Sequence, residues 1–326
     1  MTPTPASGSN RIDAIDIARG VALLAMAIYH FTWDLEFFGY AEPGLTAVGG
    51  WKLFARAIAS SFLFLVGVGL YLGHRKEIRW RPFARRLAMI VAAALAITVV
   101  TYFATPDNFI FFGILHQIAL ASVLGLAFLR LSAVVILAAA AAVIAGSYYL
   151  TSPAFDHPIW WWTGLSADRP RSSDYVPLFP WFGAVLAGIG CAKIADGAGV
   201  FGRMRGKLYG GWSTPFIFAG RHSLATYLIH QPVLIGLIWT FAQIFPPPTV
   251  PEDVKFTQAC ERGCAAERDP AFCTSYCACM LEEIEGGGLL DQAFSPNPPQ
   301  EFRDKVPDMA ALCTGMTEEA APEQYT

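Results

Sequence analysis

The sequence predicts an all-α integral membrane protein with about seven transmembrane helices and a small cysteine-rich helical tail outside the membrane. Three observations lead to this fold class. The 326 residues are 54% hydrophobic, only 15% are charged, and the mean hydropathy is +0.42, whereas soluble domains carry about a quarter charged residues. Apolar windows of about 20 residues, long enough to cross the hydrocarbon core, recur seven times. Charges and cysteines are also divided unequally along the chain.

The charge division separates a membrane domain from an acidic tail. Residues 1–250 have a net charge of +7, and residues 251–326 have a net charge of −10. We predict a disordered segment over 1–10, a membrane domain over 11–245 and a tail over 246–326. Residues 1–10 lack the apolar stretch of a cleavable signal, so the first span is expected to act as a retained anchor. No basic patch suited to nucleic acid is apparent, and we expect no such partner.

The order of apolar and basic segments predicts the orientation. The predicted spans are residues 14–33, 54–73, 87–104, 109–129, 132–150, 176–195 and 222–245. The connections on one side carry 14 Lys and Arg residues, and those on the other side carry four, Lys52, Arg56, Arg169 and Arg171. Basic loops stay in the cytoplasm. The amino terminus is therefore expected inside and the carboxyl terminus outside.

The first span carries a polar stripe. At 100° per residue, Asp16, Arg19, His30 and Asp34 fall on one narrow helix face. His30 lies about 21 Å from Asp16 along an ideal helix, which places the two near opposite membrane surfaces. Ionisable groups in a span usually face the bundle interior or a water-filled path. The structural alternative is an Asp16–Arg19 pair that fixes helix packing, together with an interfacial His30.

Polar residues also lie within or at the mouth of three later spans, and we expect them to support the same site. They are Gln117, Asp174, Tyr227 and His230, together with His116. His116 is predicted at the depth of His30. It could equally be a core histidine whose hydrogen bonds are satisfied, and His230 could bind a carbonyl group that Pro232 leaves free.

Five segments in order resemble the heparan-alpha-glucosaminide N-acetyltransferase catalytic-domain family, bacterial branch. They are RIDAIDIARGVALLAMAIYH, RPFARRL, FGILHQIAL, DYVPLFPWFG and GRHSLATYLIHQPVL, covering about residues 11–245. The resemblance implies a membrane-bound acyltransferase of a bacterial inner membrane. It would move an acyl group, in the first instance acetyl, from cytoplasmic acyl-CoA to an amine or hydroxyl of a sugar-type acceptor outside. Its partners would be the lipid bilayer, acyl-CoA and a carbohydrate, and a homo-oligomer stays open.

The site residues follow from this chemistry. Acyl transfer needs a base or a nucleophile, and an imidazole serves either role near neutral pH. We expect His30, oriented by Asp34, to act in this way, with His116 as a second imidazole. The resemblance places the catalytic histidine in the segment after the first span. The only histidine near that position is His30, which still lies inside the predicted span. The phosphates of acetyl-CoA are expected on basic residues near the inner surface, which are Arg19, Arg85, Arg86, Arg221 and His222. No metal is expected.

The tail predicts a disulfide-stapled helical hairpin. Six of the seven cysteines lie there, and Cys191 lies in an apolar span and is expected to stay free. Two pairs spaced i, i+4 face each other across a turn, which favours the pairings Cys260–Cys277 and Cys264–Cys273. The pairing Cys279–Cys313 would follow. A four-cysteine zinc site is the alternative, although an outside location favours disulfides.

Two other classes of function stay open. A transporter or flippase would also use a polar column inside the membrane. A scaffold or assembly factor would use the tail to bind a partner. A carrier needs no acyl-CoA site and a scaffold needs no intramembrane histidine, so the histidines and the basic inner loops favour the acyltransferase.

Overall fold

The computed structural model describes residues 11–168, 170–205, 209–248, 251–265, 267–295 and 298–320. The predicted disordered segment 1–10, and the basic residues Arg169 and Lys207 of the charge count, lie outside these ranges. The described residues form helices and loops with no β-strand, and Ser152 and Ser166 form an isolated β-bridge.

Seven apolar helices occupy the seven predicted windows. They are α1 (Asp13–Phe37), α2 (Gly49–His74), α3 (Trp80–Ala104), α4 (Ile114–Phe128), α5 (Ala133–Tyr149), α6 (Leu178–Gly197) and, after two short helices, α9 (Ser223–Ile244). All but α4 and α5 are long and apolar enough to cross a membrane, whereas these two have 15 and 17 residues. The prediction of an all-α integral membrane protein is confirmed.

Several spans begin or end at residues other than those predicted. Helix α2 begins five residues early, at Gly49, and α1 ends four residues late, at Phe37. The starts of α3 and α4 differ for local reasons. Helix α3 begins seven residues earlier, because its basic first turns continue the helix and Pro82 is tolerated in the first turn. Helix α4 begins five residues later, at Ile114, because residues 105–113 form a 3-10 turn and an extended segment that ends at Gly113. The short helices α7 (Val200–Met204) and α8 (Thr214–Arg221) were not predicted.

The chain folds as two compact units. Of the residues that the structure describes, those within 1–26 and 56–229 form the first unit, and those within 27–55 and 230–326 form the second. In the first unit, α5 and α6 pack along most of their length. Helix α2 crosses α6 where Gly67 meets Gly188, and a Cβ atom at either glycine would clash with a backbone carbonyl oxygen of the other helix. Small residues at such crossings let membrane helices approach closely.

The tail in the second unit is a stapled helical module. It contains α10 (Glu252–Cys264), α11 (Pro270–Gly286), α12 (Leu290–Ala293) and α13 (Gln300–Ala320). The observed disulfides are the three predicted, Cys260–Cys277, Cys264–Cys273 and Cys279–Cys313. The first two join α10 to α11, and the third joins α11 to α13. Cys191 is free, as predicted, and it is exposed.

The tail also contacts the loop that follows α1, within the same unit. Arg262 of α10 forms an ion pair with Glu42 and donates to the backbone carbonyl of Pro43. The hydroxyl of Tyr40 donates to the carbonyl of Phe245. The loop is therefore held both by the tail and by the end of α9.

Candidate functional site

The parts of α1 and α9 that belong to the second unit bring four polar side chains together. Helix α1 contributes His30 and Asp34, which are one turn apart, and α9 contributes His230 and Gln231. The rings of His30 and His230 meet edge to face with centroids 5.0 Å apart. Gln231 Nε2 donates to Asp34 Oδ1 at 2.7 Å. The structure thus assembles a cluster around the histidine that the sequence singled out.

Asp34 is not the hydrogen-bond partner of His30 among the described residues. Its carboxylate is completely buried, and Oδ1 accepts from Gln231. Its other oxygen, Oδ2, and Gln231 Oε1 are buried without a hydrogen-bond partner in the described part of the chain. Buried acceptors of this kind are costly unless a donor reaches them. The cluster can therefore accept hydrogen bonds from a ligand or water.

The loop after α1 fixes the end of the helix that carries this cluster. Both carboxylate oxygens of Glu36 accept hydrogen bonds, from the backbone N–H of Gly44 and from the N–H and hydroxyl of Thr46. Gly44 has φ of +77°, a left-handed conformation that favours glycine. Tyr29, whose ring contacts His30, donates its hydroxyl to the Thr46 carbonyl at 3.5 Å.

A cationic cavity of about 160 Å³ lies in the first unit between α2, α3 and α4. His74, Arg79 and Arg86 line it together with Ser122. No carboxylate within the described residues forms an ion pair with either arginine. Unpaired guanidinium groups around a cavity favour an anion.

His74 has one ring nitrogen available in this cavity wall. Its Nδ1 lies 3.0 Å from the Leu70 carbonyl oxygen and must donate to it, which places the proton of the neutral ring on Nδ1. Its Nε2 is buried without a hydrogen-bond partner in the described part of the chain. This nitrogen can accept a hydrogen bond, or donate one once the ring is protonated.

Arg19 packs beside the same cavity. A Cβ atom at Gly69, a lining residue, would lie 3.0 Å from Arg19 Nη2. Arg19 also binds Asp16, with Nη1 3.0 Å from Oδ1. Of the predicted donor-binding residues, Arg19 and Arg86 are therefore the two at this cavity.

The other three predicted donor residues do not line the cavity. Arg85 is exposed on α3. Arg221 Nη2 lies 2.8 Å from Asp13 Oδ1, and its Nε lies 3.6 Å from the buried Asp16. His222 Nδ1 donates to the Phe218 carbonyl at 2.9 Å.

The ion pairs of Asp16 connect two helices. In addition to Arg221, Arg11 binds Asp16, with its Nε 3.1 Å from Oδ2. Asp16 and Arg221 thus join the start of α1 to the end of α8.

His116 forms hydrogen bonds through both ring nitrogens, as the structural alternative expects. The N–H of Gly113 donates to Nδ1 at 3.2 Å, and Nε2 lies 3.2 Å from Thr98 Oγ1. Thr98 donates its own hydrogen to the Ile110 carbonyl at 2.7 Å, so His116 carries its proton on Nε2 and donates it. The ring caps the start of α4.

Asp174 binds the same helix start. Its Oδ2 accepts from the N–H of Ile114 at 2.8 Å. Burial raises the pKa of Asp174 to about 6, and the Ile114 hydrogen bond opposes this increase. His116, Asp174 and Tyr227 border one crevice that has no room for a water molecule. The side chain of Gln117, one residue after His116, is completely buried, and its amide has no hydrogen-bond partner in the described part of the chain.

The comparison with protein families decides what kind of protein carries these sites. The model described as heparan-alpha-glucosaminide N-acetyltransferase, catalytic, matches residues 11–232. The chain belongs to this family. No curated protein and no solved structure matches it. The match covers both α1 and the His230–Gln231 pair, whereas the stapled tail lies beyond it.

Sequence reasoning did not single out four polar residues of this N-acetyltransferase family member as site residues, which are Gln231, His74, Ser122 and Arg79. Gln231 lies next to His230 in the segment GRHSLATYLIHQPVL, but its role depends on a contact with Asp34 on another helix. His74 and Ser122 line the cavity from α2 and α4, and periodicity within one helix does not reveal such neighbours. The signal for His74 was its position in the last turn of α2, directly before the basic loop. No three His, Cys, Asp or Glu side chains among the described residues are placed to bind a metal.

Proposed function

We propose that this chain transfers an acetyl group from cytoplasmic acetyl-CoA to an amine or hydroxyl of a sugar-type acceptor across the membrane. The observation that carries the proposal is the cationic cavity, where Arg79 and Arg86 have no carboxylate partner among the described residues. Guanidinium groups bind phosphate oxygens in a bidentate way. Acetyl-CoA carries such phosphates, and the family of the chain supports an acetyl donor.

The size of the cavity limits what it holds. Its volume of about 160 Å³ is below the ~300–1,000 Å³ of sites that enclose a whole small ligand. We therefore assign it to a phosphate-bearing part of acetyl-CoA, and the remainder would extend beyond it. Ser122 and His74 Nε2 add neutral polar contacts.

His30 is the residue that we assign to the acceptor. It would take the proton that the acceptor loses as its nitrogen or oxygen attacks the thioester carbonyl. His116 would act by holding the start of α4, because its own ring nitrogens are bound to Gly113 and Thr98. Asp174 and Tyr227 would support that helix start.

The orientation follows from the basic loops. The segment between α2 and α3, which borders the cavity, is rich in Lys and Arg, and such loops stay in the cytoplasm. The donor site would then face the cytoplasm, and the stapled tail would lie outside, where disulfides persist. The membrane would be a bacterial inner membrane.

The proposed binding of the acetyl donor is tested by calorimetry, which measures the affinity of acetyl-CoA for the purified protein in nanodiscs. We expect Arg86→Ala to weaken binding about ten- to hundredfold, as for the loss of one charge-assisted hydrogen bond. Arg81→Ala is the matched control, since it removes the same charge from the same helix outside the cavity lining. Equal affinities in both variants, or no binding by the wild type, would overturn the donor site.

The proposed transfer step is tested by measuring how fast the protein in proteoliposomes consumes the thioester when the acceptor is present. His30→Ala should lower turnover by about 10²–10⁴-fold, which is typical for the loss of a general base, and should leave acetyl-CoA binding intact. His116→Ala should instead lower the thermal stability of the protein. Full turnover in His30→Ala would contradict the assignment of His30. Transport of the acceptor without thioester cleavage would identify a carrier instead.

A further inference from the structure

His230, the second histidine of the cluster on α1 and α9, has no role in the function proposed above. His230 lies directly before Gln231 on α9, and its ring faces that of His30 with centroids 5.0 Å apart and an interplanar angle of 64°. The edge of one ring points at the other in this arrangement. Two imidazoles so placed interact as a pair when either one gains a proton.

The carboxylate that the sequence offers as the partner of His30 is bound elsewhere. Asp34 Oδ1 accepts from Gln231 Nε2 at 2.7 Å, and no hydrogen bond joins Asp34 to His30 within the described residues. The adjacent residues His230 and Gln231 therefore contact different partners on α1. Gln231 holds Asp34, and His230 faces His30.

The other groups around His30 leave His230 as its nearest ionisable partner. On α1, the neighbours that can titrate are Tyr29 and Asp34, and on α9 the neighbour is His230. The ring of Tyr29 contacts His30 at 5.8 Å, but its hydroxyl points to the Thr46 carbonyl. Glu36, further along α1, is bound to the loop at Gly44 and Thr46.

We propose that His230 is the proton partner of His30, so that an imidazole pair, rather than a His–Asp pair, carries the acid–base chemistry. This inference rests on the proposed acetyl transfer. In that reaction the acceptor forms a C–N or C–O bond to the acetyl carbon, and its proton goes to His30. The C–S bond breaks, and the thiolate leaves with the electron pair. The proton is shared with His230 and then returns to the thiolate or to water. His230 is a positioning residue, because it acts through His30.

The pair is tested first without any enzymatic activity. Diethyl pyrocarbonate modifies only the neutral imidazole, so its rate of reaction with each histidine, followed by peptide mass spectrometry across pH, reports the titration of that residue. The full-length protein in nanodiscs is used, and the exposed His157 in the same sample is the internal reference. We expect His30 to titrate in two steps in the wild type and in one step in His230→Gln.

Two further variants test whether the coupling is reciprocal and whether Asp34 contributes to it. His30→Gln must alter the profile of His230 as His230→Gln alters that of His30, because coupling between two sites is reciprocal. Asp34→Asn should leave the two steps of His30 in place. The proposal is overturned if neither histidine responds to loss of the other, or if Asp34→Asn alone removes a step. Gel filtration selects the variants that fold.

Enzyme kinetics separate this inference from the proposed function. We expect His230→Gln to lower kcat about ten- to hundredfold, to move the acid limb of the kcat profile, and to leave the KM for acetyl-CoA unchanged. A uniform loss at every pH would show a merely structural role for His230. If the wild-type protein transfers no acetyl group, the proposed function fails, whereas the modification profiles still decide whether the pair exists.

Discussion

At the scale of single residues, the contacts of each histidine indicate which role that histidine can have. His116 has both ring nitrogens committed to the start of α4, whereas His74 keeps one nitrogen available in a cationic cavity. His30 contacts rings on its own helix and on α9. Helical periodicity predicted the stripe on α1 that contains His30, because positions along one helix are fixed by geometry.

Periodicity could not predict which side chains meet across helices. The sequence offered Asp34 as the partner of His30 because the two residues are one turn apart. In the structure, Gln231 from α9 binds Asp34 instead. His74 was missed for the same reason, since its importance comes from Arg79, directly before α3, and from Arg86 on α3. Contacts of this kind depend on helix rotation and crossing, which a single sequence does not specify.

Asp174 gives a residue-scale prediction about pH. Burial raises the pKa of Asp174 to about 6 from 3.8. Its contribution to stability is therefore fully present below pH 4 and is lost as the pH rises through 6. This loss is at most about 3 kcal/mol, since one pKa unit corresponds to about 1.4 kcal/mol. Asp174→Asn, which stays neutral, should gain stability relative to the wild type between pH 4 and pH 7.

The measurement is thermal unfolding in detergent at four pH values from 4 to 7. The difference in Tm between Asp174→Asn and the wild type should grow with pH. Asp168→Asn, which removes an exposed carboxyl group from the preceding loop, is the matched control. A difference in Tm that stays constant with pH for Asp174→Asn would mean that the folded state does not disfavour the ionised form of Asp174.

At the scale of elements, the tail was the most predictable part of the molecule. Cysteines spaced i, i+4 lie on one face of a helix, so two such helices in a hairpin permit one natural set of pairings. The observed bonds follow that set. The ends of α3 and α4 were less predictable, because the start of α4 depends on His116 and Asp174, and Asp174 lies 60 residues away.

The third disulfide yields an element-scale prediction. Cys279–Cys313 closes a segment of 34 residues between α11 and α13. Replacing both cysteines by Ala should destabilise the docking of α13 by about 2–4 kcal/mol, because the unfolded segment regains its freedom. Limited proteolysis of the full-length protein should then cut within residues 300–320 much faster. Cys191→Ala, at the free cysteine, should leave this rate unchanged. Equal protection in the double variant would show that apolar packing alone holds α13.

At the scale of the whole molecule, orientation is the main prediction. In a Cys191→Ala background, an impermeant thiol reagent should label the reduced tail cysteines from outside intact cells. Lys76→Cys, in the basic loop between α2 and α3, should be labelled only after lysis. The physical reason is the bias of Lys and Arg toward one set of loops. The reverse labelling pattern would place the tail in the cytoplasm and remove the reason for its disulfides.

The lengths of two helices have a consequence for the surrounding lipid. Used as membrane spans, α4 and α5, with 15 and 17 residues, cover about 22 and 26 Å, which is less than the ~30 Å of a typical hydrocarbon core. Such hydrophobic mismatch draws the lipid leaflets toward each other beside the short helices. The bilayer would thus be thinnest around α4, which also lines the cationic cavity through Ser122. Lipids with short acyl chains would then suit this protein better than those with long chains, and a group crossing there would have less apolar material to traverse.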